Sequence, residues 1–184
     1  MIIRIMGTSG CGKTTLVSRL MAEGSDVGPW YDEEIRKVPL GHVVGPTFIV
    51  GYYHGTVGGC DNLPAILRDR ARFFEQWLPA LHLHYRHVLY EGVIFGDEVV
   101  RTSKLARTHE SVVVYMTTPL EECIASIRAR RVAAGKSPEF KTDNTTKRYK
   151  SLQNVATRLR GSGVNVVKLN REEAYEYIKA ELAK

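Results

Sequence analysis

The eight residues Gly7-Thr8-Ser9-Gly10-Cys11-Gly12-Lys13-Thr14 constrain this chain more than any other stretch. They satisfy the spacing G-x-x-x-x-G-K-[ST] in full. A short apolar run at residues 1–6 precedes them, and a helical pattern from Gly12 to about residue 23 follows. That order, strand then glycine turn then helix, gives the spacing its physical meaning; a chance match in a tight glycine turn would lack it. Glycines let backbone N–H groups curl around an anion without a Cβ clash, and the helix N-terminus adds its dipole. The lysine of such a loop reaches the β- and γ-phosphates of a nucleotide, and the next hydroxyl ligates Mg²⁺. Gly7, Thr8, Ser9, Gly10, Cys11, Gly12, Lys13, Thr14 and Thr15 are therefore read as nucleotide-binding, with Thr14 on the metal. Cys11 reads as a small filler, because no thiol base lies near it in sequence.

The rest of the chain repeats the strand–helix alternation. Residues 47–53, 88–90, 111–117 and 164–169 read as further strands. Helical spacing begins at Leu63 and continues through Ile66, Leu67, Phe74, Trp77, Leu78 and Leu81, with a kink at Pro79. Residues 99–106 suggest a short helix. Thr118-Pro119-Leu120-Glu121 reads as N-cap, N1 proline and capping-box glutamate. Tyr149, Leu152, Val155, Ala156 and Leu159 mark another helix, and Asn170 with Glu173 can cap the last one. Residues 25–46, broken by Gly28 and Pro29, resist assignment. The pattern predicts one three-layer α/β domain over residues 1–184, with a parallel sheet of about five strands. Ligands of such sheets bind beyond the carboxyl ends of the strands.

Composition narrows the class. The chain has 43% hydrophobic and 25% charged residues, and no apolar run approaches a membrane span. It opens without a long apolar segment, and its three cysteines are too scattered for a disulfide framework. A reducing, cytoplasmic setting is the expectation. Residues 128–150 hold eight Lys or Arg against two acids, an excess equal to the whole net charge of +6. With Gly135, Ser137 and Pro138 between two helical patterns, the segment reads as a basic flap suited to a polyphosphate or a nucleic-acid backbone. A solvated helical face is the blander reading of such a run.

Two acids stand at strand ends, where phosphoryl transfer needs a carboxylate for the acceptor hydroxyl and an oxygen ligand for Mg²⁺. Asp61 follows the second strand in Gly58-Gly59-Cys60-Asp61, and Glu91 ends the third in Tyr90-Glu91-Gly92. Asp61 is the first choice for the acceptor base and Glu91 for the metal, although the sequence leaves open which of the two is the base. A plain helix-start acid is the alternative for Asp61. Asp97, in a Gly-Asp turn, is a weaker third candidate. Tyr52, Tyr53 and His54 lie beside the glycine-rich loop and can stack on or hold a nucleobase, although alternation sends one tyrosine to the core. His82, His84 and His87 do not have zinc spacing and read as a polar turn.

On these residues the chain resembles the P-loop small-molecule and nucleotide kinases over nearly its whole length. The resemblance implies sheet order 2-3-1-4-5 and a basic lid at about residues 128–150. It also implies phosphate clamping by Arg128, Arg130 and Arg131, and adenine contact by Asn170 and Arg171. The chain departs from nucleoside monophosphate kinases, having Glu91-Gly92-Val93 where those carry an Asp-Arg-Tyr-type motif. The set GTSGCGKTT, GYYHG, GGCD, LYEG and TTPLEECIASIRARR is similar to bacteriophage 5-hydroxymethyluracil DNA kinases. These phosphorylate the base hydroxymethyl group within DNA on the way to hypermodified thymidine. The resemblance implies ATP and Mg²⁺ as cofactors and DNA as partner. A free nucleoside, nucleotide or metabolite kinase, and a P-loop NTPase switch, remain as alternatives.

Overall fold

The computed structural model describes residues 1–24, 26–31, 39–53 and 58–184. Its central strand is β1 (Ile2–Met6), buried on both faces, which is why it reads as an unbroken apolar run. It pairs in parallel with β5 (His87–Glu91) on one side and β6 (Ser111–Met116) on the other. Beyond β5 lie β4 (Thr47–Val50), parallel to it, then β3 (Gly41–Val44), antiparallel to β4, and β2 (Asp26–Trp30), antiparallel to β3. Beyond β6 lies β7 (Val166–Leu169), again parallel. The full order is β2-β3-β4-β5-β1-β6-β7.

The sheet therefore corrects the expectation of a five-stranded, all-parallel arrangement: it has seven strands and is mixed. The two added strands come from the stretch that resisted assignment. Gly28 holds φ at +98° and Pro29 follows it inside β2, so this edge strand carries breakers that alternation rules discount.

Alternate side chains cover two faces. Ile3, Ile5, Leu89, Val112 and Val114 pack with α1 (Lys13–Glu23) and α6 (Arg171–Leu182). On the other face, Ile2, Val88 and Tyr90 meet Phe73, Phe74, Leu78 and Leu81, the last two in α2 (Leu78–His84). Val113 and Tyr115 meet Leu152, Val155, Ala156 and Leu159 of α5 (Asp143–Gly161). Two further helices, α3 (Val100–Thr108) and α4 (Leu120–Ala133), complete the set. Among the described residues no helix is long and apolar enough to cross a membrane.

Two local readings change. The helix expected from Leu63 is instead a pair of 3₁₀ turns, Gly59–Asn62 and Ala65–Leu67, then a π-helical stretch Arg72–Trp77 that runs into α2. Pro79 sits in the first turn of α2, where its missing N–H is tolerated, and the wide turn ends just before it. Thr118 is not a cap; Pro119 takes that position, and the Thr118 hydroxyl donates to the Cys11 carbonyl at 3.0 Å. Asn170 does cap α6: its side-chain oxygen accepts from Glu172 and Glu173 N–H at 3.0 Å, and Glu173 returns a bond to Asn170 N–H at 2.8 Å.

One residue inside β1 breaks its own apolar run. Arg4 is buried, and its guanidinium donates to the carbonyls of Glu98, Phe95 and Gly96 at 3.0, 2.6 and 2.9 Å and to Thr102 Oγ1 at 2.7 Å. Each acceptor is neutral, so the charge is solvated by carbonyl dipoles of the segment between β5 and α3 and by one hydroxyl in the first turn of α3.

Candidate active site

The carboxyl ends of β1 and β5 are in register, with Ile5 beside Glu91, so the glycine loop leaving β1 and the acid ending β5 emerge together. The loop is held from outside. Gly10 has φ +82°, and a Cβ there would lie 2.2 Å from the Cys123 carbonyl oxygen at the base of α4, so only glycine permits the approach. Arg171, the first residue of α6, donates from Nε to Cys11 O at 3.0 Å and from Nη2 to Gly10 O at 3.2 Å and Ser126 Oγ at 3.3 Å. With Thr118, which also donates to Cys11 O, it holds the Gly10 and Cys11 carbonyls from outside the loop.

Lys13 is buried, and its ammonium donates to Gly7 O at 2.9 Å and Thr8 O at 3.1 Å. Thr8 Oγ1 is buried with no hydrogen-bond partner among the described residues. Thr14 Oγ1 donates to Glu91 Oε1 at 3.0 Å. Glu91 is 2% exposed, and burial raises its pKa above the ordinary carboxylate value. The Lys13 charge and the Thr14 hydroxyl oppose that rise, and the nearby Asp61 charge adds to it. Gly59 (φ +73°) presses against this acid; a Cβ there would be 2.6 Å from Oε1. Two hard oxygen donors, Thr14 Oγ1 and the Glu91 carboxylate, thus face each other beside the lysine.

These groups line a cavity of about 480 Å³ together with Ser9, Asp61, Val93, Arg130 and Arg171. Asp61 lines the cavity from within the 3₁₀ turn Gly59–Asn62, where it is an acid of the first turn without a capping hydrogen bond. Its Oδ2 accepts from Val93 N–H at 3.1 Å and its Oδ1 from Ile94 N–H at 3.0 Å, across to the segment leaving β5. Asp97 lies outside the cavity wall, exposed and paired with Arg70 at 3.0 Å.

The three arginines of α4 do not converge. Arg130 shares the cavity wall with Ser126, one turn earlier. Arg131 faces the turn after α4, donating from Nε to Ser137 O at 2.7 Å. Arg128 is exposed and is not part of the wall. Tyr53 is buried, with its ring under Gly58 and its hydroxyl without a partner among the described residues. Burial, reinforced by Glu91, pushes that phenol well above its usual pKa. The Tyr52 ring is stacked on His42 with centroids 6.0 Å apart, and neither tyrosine lines the cavity. His54 lies outside the described residues. Asn170 is engaged in capping, while Arg171 reaches the wall.

Sequence reasoning missed Arg19, Thr118 and Ser126. Arg19 lines the cavity, pairs with Glu172 at 2.8 Å and lies 3.4 Å above the Tyr175 ring centroid. No motif marks Arg19; Thr118 and Ser126 lie within the TTPLEECIASIRARR stretch, but nothing in it singled them out for the site. Arg4 did leave a signal, since a charge within a buried strand must find partners.

No family model matches the chain. Curated relatives do. A 5-hmdU DNA kinase of Pseudomonas phage PaMx11 is 32% identical over 185 residues, covering 97% of this chain and 95% of the relative. A 5-hmdU DNA kinase of Delftia phage PhiW-14 is 26% identical over 166 residues, covering 81% of this chain and 60% of that longer protein. Identity at that level along nearly the whole of both chains places this protein, a phosphotransferase, in the family of 5-hmdU DNA kinases.

Proposed function

We propose that this protein transfers the γ-phosphoryl group of ATP to the hydroxymethyl oxygen of 5-hydroxymethyluracil in DNA. The observation that carries the reading is one cavity in which Lys13 and Thr14 of the glycine loop face both Glu91 and Asp61. Its relatives' shared name supplies the acceptor. The parallel strands β4-β5-β1-β6-β7 agree with the P-loop kinase order.

Lys13 and the glycine-loop backbone leading into the N-terminus of α1 suit the donor phosphates. Thr14 and Glu91 suit Mg²⁺, a hard cation that takes one or two protein oxygens and fills its shell with water and phosphate. When bound, the metal neutralises charge on the phosphates. Asp61 accepts the proton of the hydroxymethyl group as its oxygen bonds to phosphorus and the bond to the ADP oxygen breaks. Arg130 stabilises the phosphoryl oxygens during that exchange. Residues 128–150 act as a basic lid, with exposed Lys136, Lys141, Lys147 and Lys150 toward the DNA backbone. A base stacked in a duplex cannot enter this cavity, so the enzyme takes the nucleotide flipped out or from a single strand. With DNA as acceptor, the reaction belongs in the host cytoplasm.

The test is incubation with γ-labelled ATP and three acceptors. Label should enter DNA containing 5-hydroxymethyluracil and stay out of the same DNA containing thymine. The free nucleoside should be the poorer acceptor in kcat/KM; equal or better use of it would replace the polymer reading with a small-molecule kinase. Release of label only as free phosphate would indicate an NTPase.

A further inference from the structure

The segment leaving β5, residues 92–98, is held from several directions at once. Arg4 takes its carbonyls from the sheet side. Arg70 reaches Ile94 O at 3.4 Å and Asp97 at 3.0 Å. Arg148 arrives from α5, and its Nη2 donates to the Val93 carbonyl. Gly96 leaves room for it, since a Cβ there would lie 2.4 Å from Nη2.

The Val93 carbonyl belongs to the same peptide unit as the Ile94 N–H, and that N–H donates to Asp61 Oδ1 at 3.0 Å. Guanidinium, C=O, N–H and carboxylate therefore stand in series, with the peptide dipole pointing the favourable way at both ends. Hydrogen bonds in such chains strengthen one another by roughly 10–30%. The C-terminal half of α5 is anchored by Leu152, Val155, Ala156 and Leu159, so Arg148 sits where the fixed part of the helix meets the flap.

We propose that Arg148 is a positioning residue for Asp61, acting through the Val93–Ile94 peptide, so that the seating of α5 sets the orientation of the carboxylate. This deepens the proposed function and rests on Asp61 being the acceptor base. It also gives Arg148 a different task from the exposed lysines around it, which face solvent.

Two measurements on the full chain test it. Without any substrate, Arg148→Gln should speed amide exchange at Ile94 by about tenfold, because the peptide loses one of its three hydrogen bonds and keeps only those from Ile94 N–H to Asp61 and from Gly96 N–H to the Val93 carbonyl at 3.0 Å. Arg148→Lys, which keeps a donor, should fall between the two. In transfer to 5-hydroxymethyluracil DNA, Arg148→Gln should lower kcat about tenfold and leave the KM for ATP and the salt dependence of DNA binding within about twofold. Combining it with Asp61→Asn should cost nothing beyond Asp61→Asn alone, since the two act in series. Unchanged Ile94 exchange, multiplying penalties, or an effect confined to the KM for DNA would each overturn the proposal. If the wild-type protein fails to use this DNA, the function reading fails by itself, and the exchange measurement still decides the role of Arg148.

Discussion

The two walls of the cavity are built in opposite ways. The wall we propose for the donor, the donor wall, comes from one short stretch of chain, Ser9, Gly10, Gly12, Lys13 and Thr14. The wall we propose for the acceptor is assembled from Asp61, Glu91 and Val93, with the Val93 and Ile94 amides donating to Asp61 and Arg148 behind them. One wall is a property of a loop; the other is a property of the packed domain. Changes to the first should act on one ligand and one step, whereas changes to the second should spread through a network.

The largest separation between the walls should appear with Asp61→Asn. Under the proposed function the base is lost; the amide keeps the shape but offers one oxygen acceptor where the carboxylate offers two to the Val93 and Ile94 N–H groups, and general-base contributions run to about 10²–10⁴-fold. Transfer should fall by that range while ATP binding, measured by calorimetry, stays within about twofold. Normal transfer by this variant would move the base to Glu91.

Lys13→Ala should come next, lowering kcat by about 10²-fold or more, since one preorganised charge at a transferring phosphoryl group is worth roughly 3 kcal/mol. Unlike Asp61→Asn, it should also weaken ATP binding. Wild-type turnover in Lys13→Ala would sink the donor wall as described.

Glu91→Gln separates function from stability. Burial raises the folded-state pKa of Glu91 above its unfolded value, so the folded protein holds the proton to higher pH. Stability therefore declines as pH rises from the unfolded pKa through the folded one, and the deficit persists at neutral pH. Removing the charge should raise Tm at pH 7 by a few degrees, at about 2–4 °C per kcal/mol for a chain this size, while raising the Mg²⁺ concentration needed for turnover. The Tm difference between variant and wild type should shrink toward pH 4. A Tm that drops at neutral pH would show Glu91 to be stabilised as a carboxylate.

The smallest effect should follow from neutralising Lys136, Lys141 and Lys147 together. The slope of log affinity for DNA against log salt should lose up to about three units, with ATP affinity nearly intact. An unaltered slope would take the flap off the DNA path.

The same contrast explains what the sequence could reveal. The donor loop was legible because its residues are adjacent and flanked by a strand and a helix. The identities of Asp61 and Glu91 as cavity acids followed from their places after strands. What Asp61 touches was not legible, since its partners are backbone amides 32 and 33 residues away, and an amide carries no sequence signature. Nor could three arginines in one helix be sorted, because a turn of 100° separates Arg130 at the cavity from Arg131 at the flap. Strands β2 and β3 escaped for a related reason: edge strands tolerate Gly28 and Pro29, which local rules read as loop.

The buried arginine of β1 bears on when this protein becomes able to bind its nucleotide. Arg4 has acceptors 91 to 98 residues downstream, and β1 itself pairs only with β5 and β6. During synthesis the first strand therefore waits, charged and unpaired, until about half of the chain has followed it. Contacts of such long sequence separation form slowly, after loop-closure entropy has been overcome. The glycine loop is the most local feature in the sequence and one of the last to acquire its shape, so ATP affinity should emerge in refolding together with the final closure of the sheet.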